Sequence, residues 1–371
     1  MPFYYSIDGR KPEEKRIAEG LLRLKDAFAT EKLPKRSVEE TLLLATWNIR
    51  EFDSEKYGER GEEPILYIAE IINQFDLVAV QEVRDNLKAL NELMRYLGGW
   101  WGVLLTDVTQ GHQGNRERMA FLYDKRKVNF GGFASEIVVP PVKRKGKTLE
   151  PAHQLARTPF MVGFRCGWFK FTLCTTHILY GEGIAEDPDR IKEIEVLAKF
   201  LADRAKEKYA WSKNMILLGD FNIFDTTDKT MKALTDQGFF IPEQIKRGAS
   251  NALRNKHYDQ IAFITPSIPQ DKLELCGAGV FDFYQHVYRA TEEETYKKAM
   301  GSAYLKTKEG KARDEKGRTR YYKDWRTFQM SDHLPLWIEL KIDFGKEYLT
   351  KKVEQTTAPT LTSDPLAPTN L

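Results

Sequence analysis

The sequence predicts an α/β fold, and three observations carry that prediction. From residue 42 onward, short β-prone runs alternate with amphipathic helical patterns, the rhythm of sheets interleaved with covering helices. Residues 41 to 344 contain no Gly/Ser linker and no repeat of fixed period, so one domain of about 300 residues is expected rather than two. The predicted strands also share a habit of carrying an acid, an amide or an imidazole at one end.

In chain order, residues 1 to 40 form a charged extension in which Ile17, Leu21, Leu24 and Phe28 recur at helical spacing, predicting a helix docked through one narrow stripe. TLLLATW (41–47) reads as a strand, PILYIAEIINQF (64–75) as a helix, DLVAVQ (76–81) as a strand and NLKALNELMRYL (86–97) as a helix. The middle is richer in strands, with MAFLYD (119–124), KVNFGGF (127–133), FMVGFRC (160–166) and WFKFTLCTTH (168–177) in close succession. A long helical pattern from about 187 to 209 leads into MILLGD (215–220), and YDQIAFI (258–264) and LPLWIEL (334–340) complete the set. The Thr/Pro/Ala-rich ending lacks the apolar residues of a core, so 345–371 is expected to be a disordered tail.

Composition narrows the function classes. With 57 Lys plus Arg against 54 Asp plus Glu, the formal net charge of +3 is too small to mark a polyanion-binding protein by itself. Three cysteines, Cys166, Cys174 and Cys276, do not make a disulfide framework and fit reduced thiols. The opening MPFYYSIDGRKPEEKR lacks an apolar stretch of signal-peptide length, and no apolar run nears the roughly 20 residues of a membrane span. A cytoplasmic chain without a membrane span is expected.

The strand-end residues carry the chemistry. Asn48 follows LLLATW, Glu82 follows DLVAVQ, His177 ends FTLCTTH, Asp220 and Asn222 end ILLGDFN, Asp259 opens DQIAFI, and Asp332 with His333 precedes LPLWIEL. Any one of them alone is a turn former, a rim acid or a satisfied histidine; it is the recurrence that points to a shared cleft. Residues two apart on a strand leave on one face, so Asp220 and Asn222 are expected to point together, with Phe221 directed into packing. The set supplies carboxylates, amides and two imidazoles, with no cysteine pair and no His-x-x-x-His, which disfavours zinc and suits magnesium, manganese or calcium. Hard divalent ions on one or two carboxylates complete their shell with water and phosphate oxygens, so the implied substrate is a phosphate ester.

In that order, TWNIR, QEVRD, RERMAFLYD, TTHILYG, GDFN, YDQIAF and SDHLPL resemble the endonuclease/exonuclease/phosphatase superfamily over residues 41 to 344. QEVRDNL, the Arg116-Glu117-Arg118 segment, the Arg157-x-Pro159 triplet and VFDFYQ are most similar to its deoxyribonuclease I-like group. The resemblance implies a sandwich of two mixed sheets flanked by helices, with the site at one edge. It implies metal-site roles for Glu82 and Asn48, with Asp332 a further acid near metal or phosphate. It places Asp220 and Asn222 at the scissile phosphate and attacking water, His333 oriented by Asp259 to activate water, and His177 oriented by Glu117 at the leaving oxygen. Arg84 and Arg157 match family arginines that contact DNA; the alternative is ordinary salt bridges.

Departures from the group stand beside these matches. The disulfide of the secreted deoxyribonucleases is absent, and Asn115 stands where they place a tyrosine that packs on a sugar, which puts their manner of minor-groove binding in doubt. THILYG departs from the tyrosine-proline-asparagine of the abasic-site endonucleases. Residues 297–326 hold eleven Lys/Arg against four Asp/Glu, a local +7, with Tyr304, Tyr321, Tyr322 and Trp325 interleaved. That basic insert suits backbone phosphates with stacking on exposed bases, or else is a solvated loop; KRKGK (143–147) reads as a hairpin tip. The expected function is a magnesium-dependent phosphodiesterase on nucleic acid, foremost a DNA endonuclease. The alternative is a phosphatase or phosphodiesterase on inositol phosphates, lipids or other small esters.

Overall fold

In a computed structural model of the protein, the described residues are 2–31, 33–53, 59–110, 114–143, 149–150, 152, 154–265 and 274–355. Helix α1 (Pro12–Thr30) begins at a proline that fits the first turn and buries Ile17, Leu21, Leu24 and Phe28, the stripe its spacing predicts. Strand β1 (Thr41–Phe52), helix α2 (Glu62–Ile72), strand β2 (Leu77–Arg84) and helix α3 (Lys88–Leu97) follow, then β3 (Trp101–Leu105), β4 (Glu117–Asp124) and β5 (Asn129–Glu136). A short hairpin, β6 (Val142–Lys143) with β7 (Leu149–Glu150), brackets the basic tip, whose residues 144–148 lie outside the described residues.

Strands β8 (Phe160–Cys166) and β9 (Phe169–His177) lead to α4 (Pro188–Lys206), which Asp187 caps by accepting from the Asp189 and Arg190 amides. Next come β10 (Met215–Asp220), α5 (Lys229–Thr235), α6 (Glu243–Lys246), β11 (Asp259–Ile264) and β12 (Leu275–Val280). Helices α7 (Lys297–Met300), α8 (Ser302–Leu305) and α9 (Glu315–Gln329), strand β13 (Leu336–Lys341) and α10 (Gly345–Gln355) complete the described chain.

Two mixed sheets stack face to face, one ordered β12-β13-β1-β2-β4-β3 and the other β11-β10-β9-β8-β5. Strand β1 shows why the runs are continuously apolar. Leu42 and Leu44 enter the core between the sheets, while Leu43, Ala45 and Trp47 enter a second core beneath the helices, so both faces of the strand are buried. The result is a two-sheet α/β sandwich flanked by helices. Strand β9 runs parallel to β10 with Asp220 opposite His177, and antiparallel β11 places Asp259 opposite Asp220, so three polar strand ends line up at one edge. Gly219 permits this pairing: its φ is 134°, and a Cβ there would lie 2.1 Å from the Thr176 carbonyl oxygen.

Three features differ from the sequence expectations. Edge strands β3 and β12 carry little apolar alternation; in β12, Gly277 and Gly279 instead lie flat against the indole of Trp337 from β13. The basic insert is not a solvated loop, and most of its aromatic residues offer no exposed stacking surface: Tyr304 of α8 and Tyr322 and Trp325 of the amphipathic α9 are buried in the core beneath β1, while Tyr321 stays half-buried. Its charges, among them Lys316, Arg320 and Lys323, stay on the outer face. The tail expected from residue 345 begins instead with helix α10 through Gln355, while 356–371 lie outside the described residues.

Candidate active site

The site forms where the ends of both sheets meet. At β2 the ladder steps from Val80 opposite Ala120 to Val83 opposite Arg118, so Gln81 and Glu82 share one partner residue in a bulge. Glu82 adopts φ 62°, a conformation rare for a residue with a side chain, and the bulge lets consecutive residues serve the same region. Gln81 bonds Thr46 and, across the sheets, Thr175, while the Glu82 carboxylate accepts from Asn48 Nδ2 at 3.0 Å and from the Glu51 amide at 2.7 Å.

Asn48 Nδ2 also donates to Asp220 Oδ2 at 2.9 Å, joining the six-stranded sheet to the five-stranded one. Each imidazole likewise straddles the sandwich. His177 Nδ1 lies 2.8 Å from Glu117 Oε2, and His333 Nδ1 lies 2.8 Å from Asp259 Oδ2. Their Nε2 atoms converge on Asp220 Oδ2, at 3.5 Å and 3.6 Å respectively. The backbone of the second pair is fixed by serines: Ser250 Oγ accepts from the Asp259 amide, and Ser331 Oγ accepts from the His333 amide while donating to the Asn48 carbonyl at 2.6 Å.

Electrostatics follow from this burial. Burial pushes the Glu117 carboxyl upward, but the charges of His177, Arg157 and Arg84 outweigh it and hold the group at about 2. His177 and His333 are pulled the other way from ordinary imidazoles: burial, and for His177 the charge of Arg157, opposes protonation, yet the facing carboxylates raise both above their usual value, His333 the more strongly. Two acid and imidazole groups are close enough to share an ion, Glu82 with Glu117 and His177, and Asp220 with Asp259 and His333. Among the described residues Asn48 Oδ1 is buried with no hydrogen-bond partner, and an unsatisfied amide oxygen beside the Glu82 carboxylate fits a hard cation.

The structure thus brings together Asn48, Glu82, Glu117, His177, Asp220, Asp259 and His333, and places the other sequence candidates differently. Asp332 stays at the rim, 43% exposed, with Arg50 Nε 3.5 Å away. Asn222 does not simply point alongside Asp220: at φ 51° its amide Nδ2 donates to the Ile178 carbonyl, and its backbone amide donates to Asp220 Oδ1. Phe221 is buried as expected.

Arg84 and Arg157 turn toward Glu117, with Arg84 Nη1 3.7 Å from Oε1 and Arg157 Nε 2.9 Å from Oε2. The latter contact is an ion pair without hydrogen-bond alignment, so among the described residues Nε and Nη1 of Arg157 find no hydrogen-bond acceptor. Asn115, which the sequence marked only as a departure from the deoxyribonucleases, donates through Nδ2 to Glu117 Oε1 at 2.7 Å, and sequence reasoning missed Arg60, buried, whose guanidinium donates to the carbonyls of Gln329 and Glu51 and ties β1 to the end of α9. Ser331 was also missed, although it lies in the SDH motif beside Asp332 and His333; Arg60 and Ser250 carry no local signal.

The sequence profile of the Endonuclease/Exonuclease/phosphatase family matches residues 45–238, more than half of the chain. The chain belongs to this family. Among curated proteins, a deoxyribonuclease of Thioalkalivibrio sp. (strain K90mix) is 34% identical over 191 residues, covering 49% of this chain and 46% of that protein. The chain therefore spans about half the length of that relative.

Among solved structures, an endonuclease/exonuclease/phosphatase family protein from Bacteroides thetaiotaomicron superposes with a TM-score of 0.52 at 17% identity, covering 83% of this chain and 97% of its own. A mannosyl-6-phosphatase from the same organism gives 0.50 at 17% identity, covering 81% and 99%. At such identities these two establish the shared fold. No described helix is long and apolar enough to cross a membrane, and Cys166, Cys174 and Cys276 are all unpaired.

Proposed function

We propose that the protein is a divalent-metal-dependent phosphodiesterase acting on nucleic acid, foremost a DNA endonuclease. The observation that carries this reading is the convergence of two imidazole–carboxylate pairs on one buried aspartate, Asp220, beside the Asn48–Glu82 couple. His333, oriented by Asp259, takes the proton of the attacking water, and His177, held by Glu117, gives one to the leaving oxygen. Asp220, with its amide partner Asn48, positions that water and the phosphate, and Asn222 holds Asp220 through its backbone.

Glu82 and Asn48 Oδ1 would hold magnesium, or manganese or calcium in its place, and the ion's charge would oppose the facing carboxylates that raise His333 and would neutralise charge on phosphate oxygens. Asp332 contributes a rim acid that must part from Arg50 to reach such an ion. The two unaccepted nitrogens of Arg157, with Arg84 alongside, supply donors for a phosphate at the Glu117 side.

The name of the curated relative, a deoxyribonuclease, favours a polynucleotide. The burial of Tyr304, Tyr322 and Trp325 removes a base-stacking surface and so favours the second reading, hydrolysis of a small phosphate ester such as an inositol phosphate. Supercoiled plasmid, linear duplex, single-stranded DNA, RNA and an inositol phosphate panel, each assayed with magnesium and with EDTA, decide between them. Metal-dependent plasmid nicking is expected. Turnover unaffected by EDTA would refute the metal role, and turnover confined to the small esters would refute the nuclease.

A further inference from the structure

A cationic cavity of about 450 Å³ is lined by the turn from Arg247 to His257 together with Val280, Asp282 and Leu334. Two of its lining residues lie next to the His333–Asp259 pair along the chain. Leu334 directly follows His333, and His257 precedes Asp259 by two residues. The turn is fixed in place: Asn251 bridges to His333, the Ala252 amide donates to the Asp332 carbonyl at 2.7 Å, and the Leu334 amide donates to the Ser250 carbonyl at 2.6 Å.

The polar lining is Arg247, Arg254, Asn255 and His257 against a single carboxylate, Asp282. That carboxylate is already engaged, ion-paired with Arg254 and accepting from the Tyr284 amide and Gln285 Nε2. Arg247 lends its charge to the Glu243 carboxylate, which is ion-paired with Lys246, and among the described residues His257 Nδ1 is buried without a hydrogen-bond partner. Arg254 is held at φ 55°, a conformation kept only where its surroundings impose it. A pocket with two arginines, an imidazole and an amide, one occupied acid and room for more than an ion suits an oxyanion carried on a larger molecule.

We propose that this cavity is a second phosphate subsite, which takes the phosphodiester next to the scissile one on a polynucleotide and so fixes the strand on the His333 side. Arg247 and His257 donate to the phosphate oxygens, and Arg254 adds charge while remaining paired with Asp282. The identity of the chain carrying that phosphate rests on the nucleic-acid reading above; the affinity of the cavity for phosphate does not.

The test compares wild type with Arg247→Ala, Arg247→Lys and Asp282→Asn on a short oligonucleotide and on bis(p-nitrophenyl) phosphate, which has one phosphorus only. Arg247→Ala should raise KM for the oligonucleotide about tenfold, with kcat nearly unchanged, and lower the salt slope by about 0.7 to 0.9. The lysine variant should recover part of the loss. All three should leave bis(p-nitrophenyl) phosphate hydrolysis as in wild type, and Asp282→Asn should tighten oligonucleotide binding.

Unchanged oligonucleotide KM in Arg247→Ala, or an equal loss on the single-phosphate ester, would overturn the subsite. A KM response to an inositol bisphosphate but not to the oligonucleotide would overturn the assignment to a flanking diester. Should wild type cleave no polynucleotide, the nuclease reading fails separately, and titration of inorganic phosphate into the same proteins judges the cavity. Weaker binding in Arg247→Ala and tighter binding in Asp282→Asn support it, and equal affinities overturn it.

Discussion

Asp220 is the residue on which the site turns, since one of its oxygens faces Asn48 and both imidazoles while the other accepts from the Asn222 amide. If the imidazoles move protons as assigned, His333→Ala and His177→Ala should each lower kcat by about 10² to 10⁴ while leaving the thermal unfolding midpoint near wild type. Wild-type turnover in either variant, measured under saturating magnesium, would remove that histidine from the mechanism. The Glu117–His177 pair also makes a stability prediction for the metal-free protein. Glu117 sits at about 2 against an ordinary 4.5, so its contribution is complete above 4.5 and fades as pH falls toward 2. His177 is raised above its ordinary 6.5, so its contribution is complete below 6.5 and fades as pH rises through its folded value. The destabilisation caused by Glu117→Gln, about 1 to 3 kcal/mol, should therefore be greatest between pH 4.5 and 6.5 and shrink on either side. Denaturant titrations of both proteins from pH 3 to 9 measure it, and a difference independent of pH would show that the pair is not charged.

At the scale of elements, α9 connects the outer helical layer to the turn that carries Asp332 and His333. Its aromatic face is structural: Tyr322 OH donates to the Arg289 carbonyl at 2.7 Å, and Trp325 packs on Tyr296 with ring centroids 5.6 Å apart. Trp325→Ala should cost about 3 to 5 kcal/mol of stability, as large-to-small changes in a core do. Urea unfolding reads this directly, and a variant as stable as wild type but weaker in single-strand binding would restore the stacking role. Strand β2 works by irregularity instead. Its bulge brings Gln81 to the junction between the sheets and Glu82 to Asn48, an arrangement that strict alternation forbids because consecutive residues of a regular strand face opposite ways.

Across the whole molecule, the outer face of α9 and the turn before it leave Lys311, Lys316, Arg320 and Lys323 exposed. If a polynucleotide lies along that face, changing all four to Gln should weaken binding and reduce the slope of log affinity against log salt by about 0.7 to 0.9 for each lost contact. Filter binding across a salt series measures the slope, and identical slopes would confine the nucleic-acid interface to the active-site edge. The sequence by itself determined the α/β class, the docked first helix and the family, because period, turn residues and strand-end polar groups are local patterns that survive without knowledge of packing. It also marked Asn48, Glu82, His177, Asp220, Asp259 and His333 as strand-end groups, although the pairing of imidazoles with acids came only through family resemblance. Tertiary structure decided what lies next to what. Asn48 and Asp220 are 172 positions apart, Glu117 and His177 60, and Asp259 and His333 74; the first two contacts cross from one sheet to the other, and the third joins β11 to the turn before β13. Such contacts depend on strand register and on how two sheets stack, as do the turn of Arg84 and Arg157 toward Glu117, the burial of the insert's aromatic residues and the cavity beside His333. No window of sequence contains that information, because the energy of each contact is gained only when distant segments close on one another.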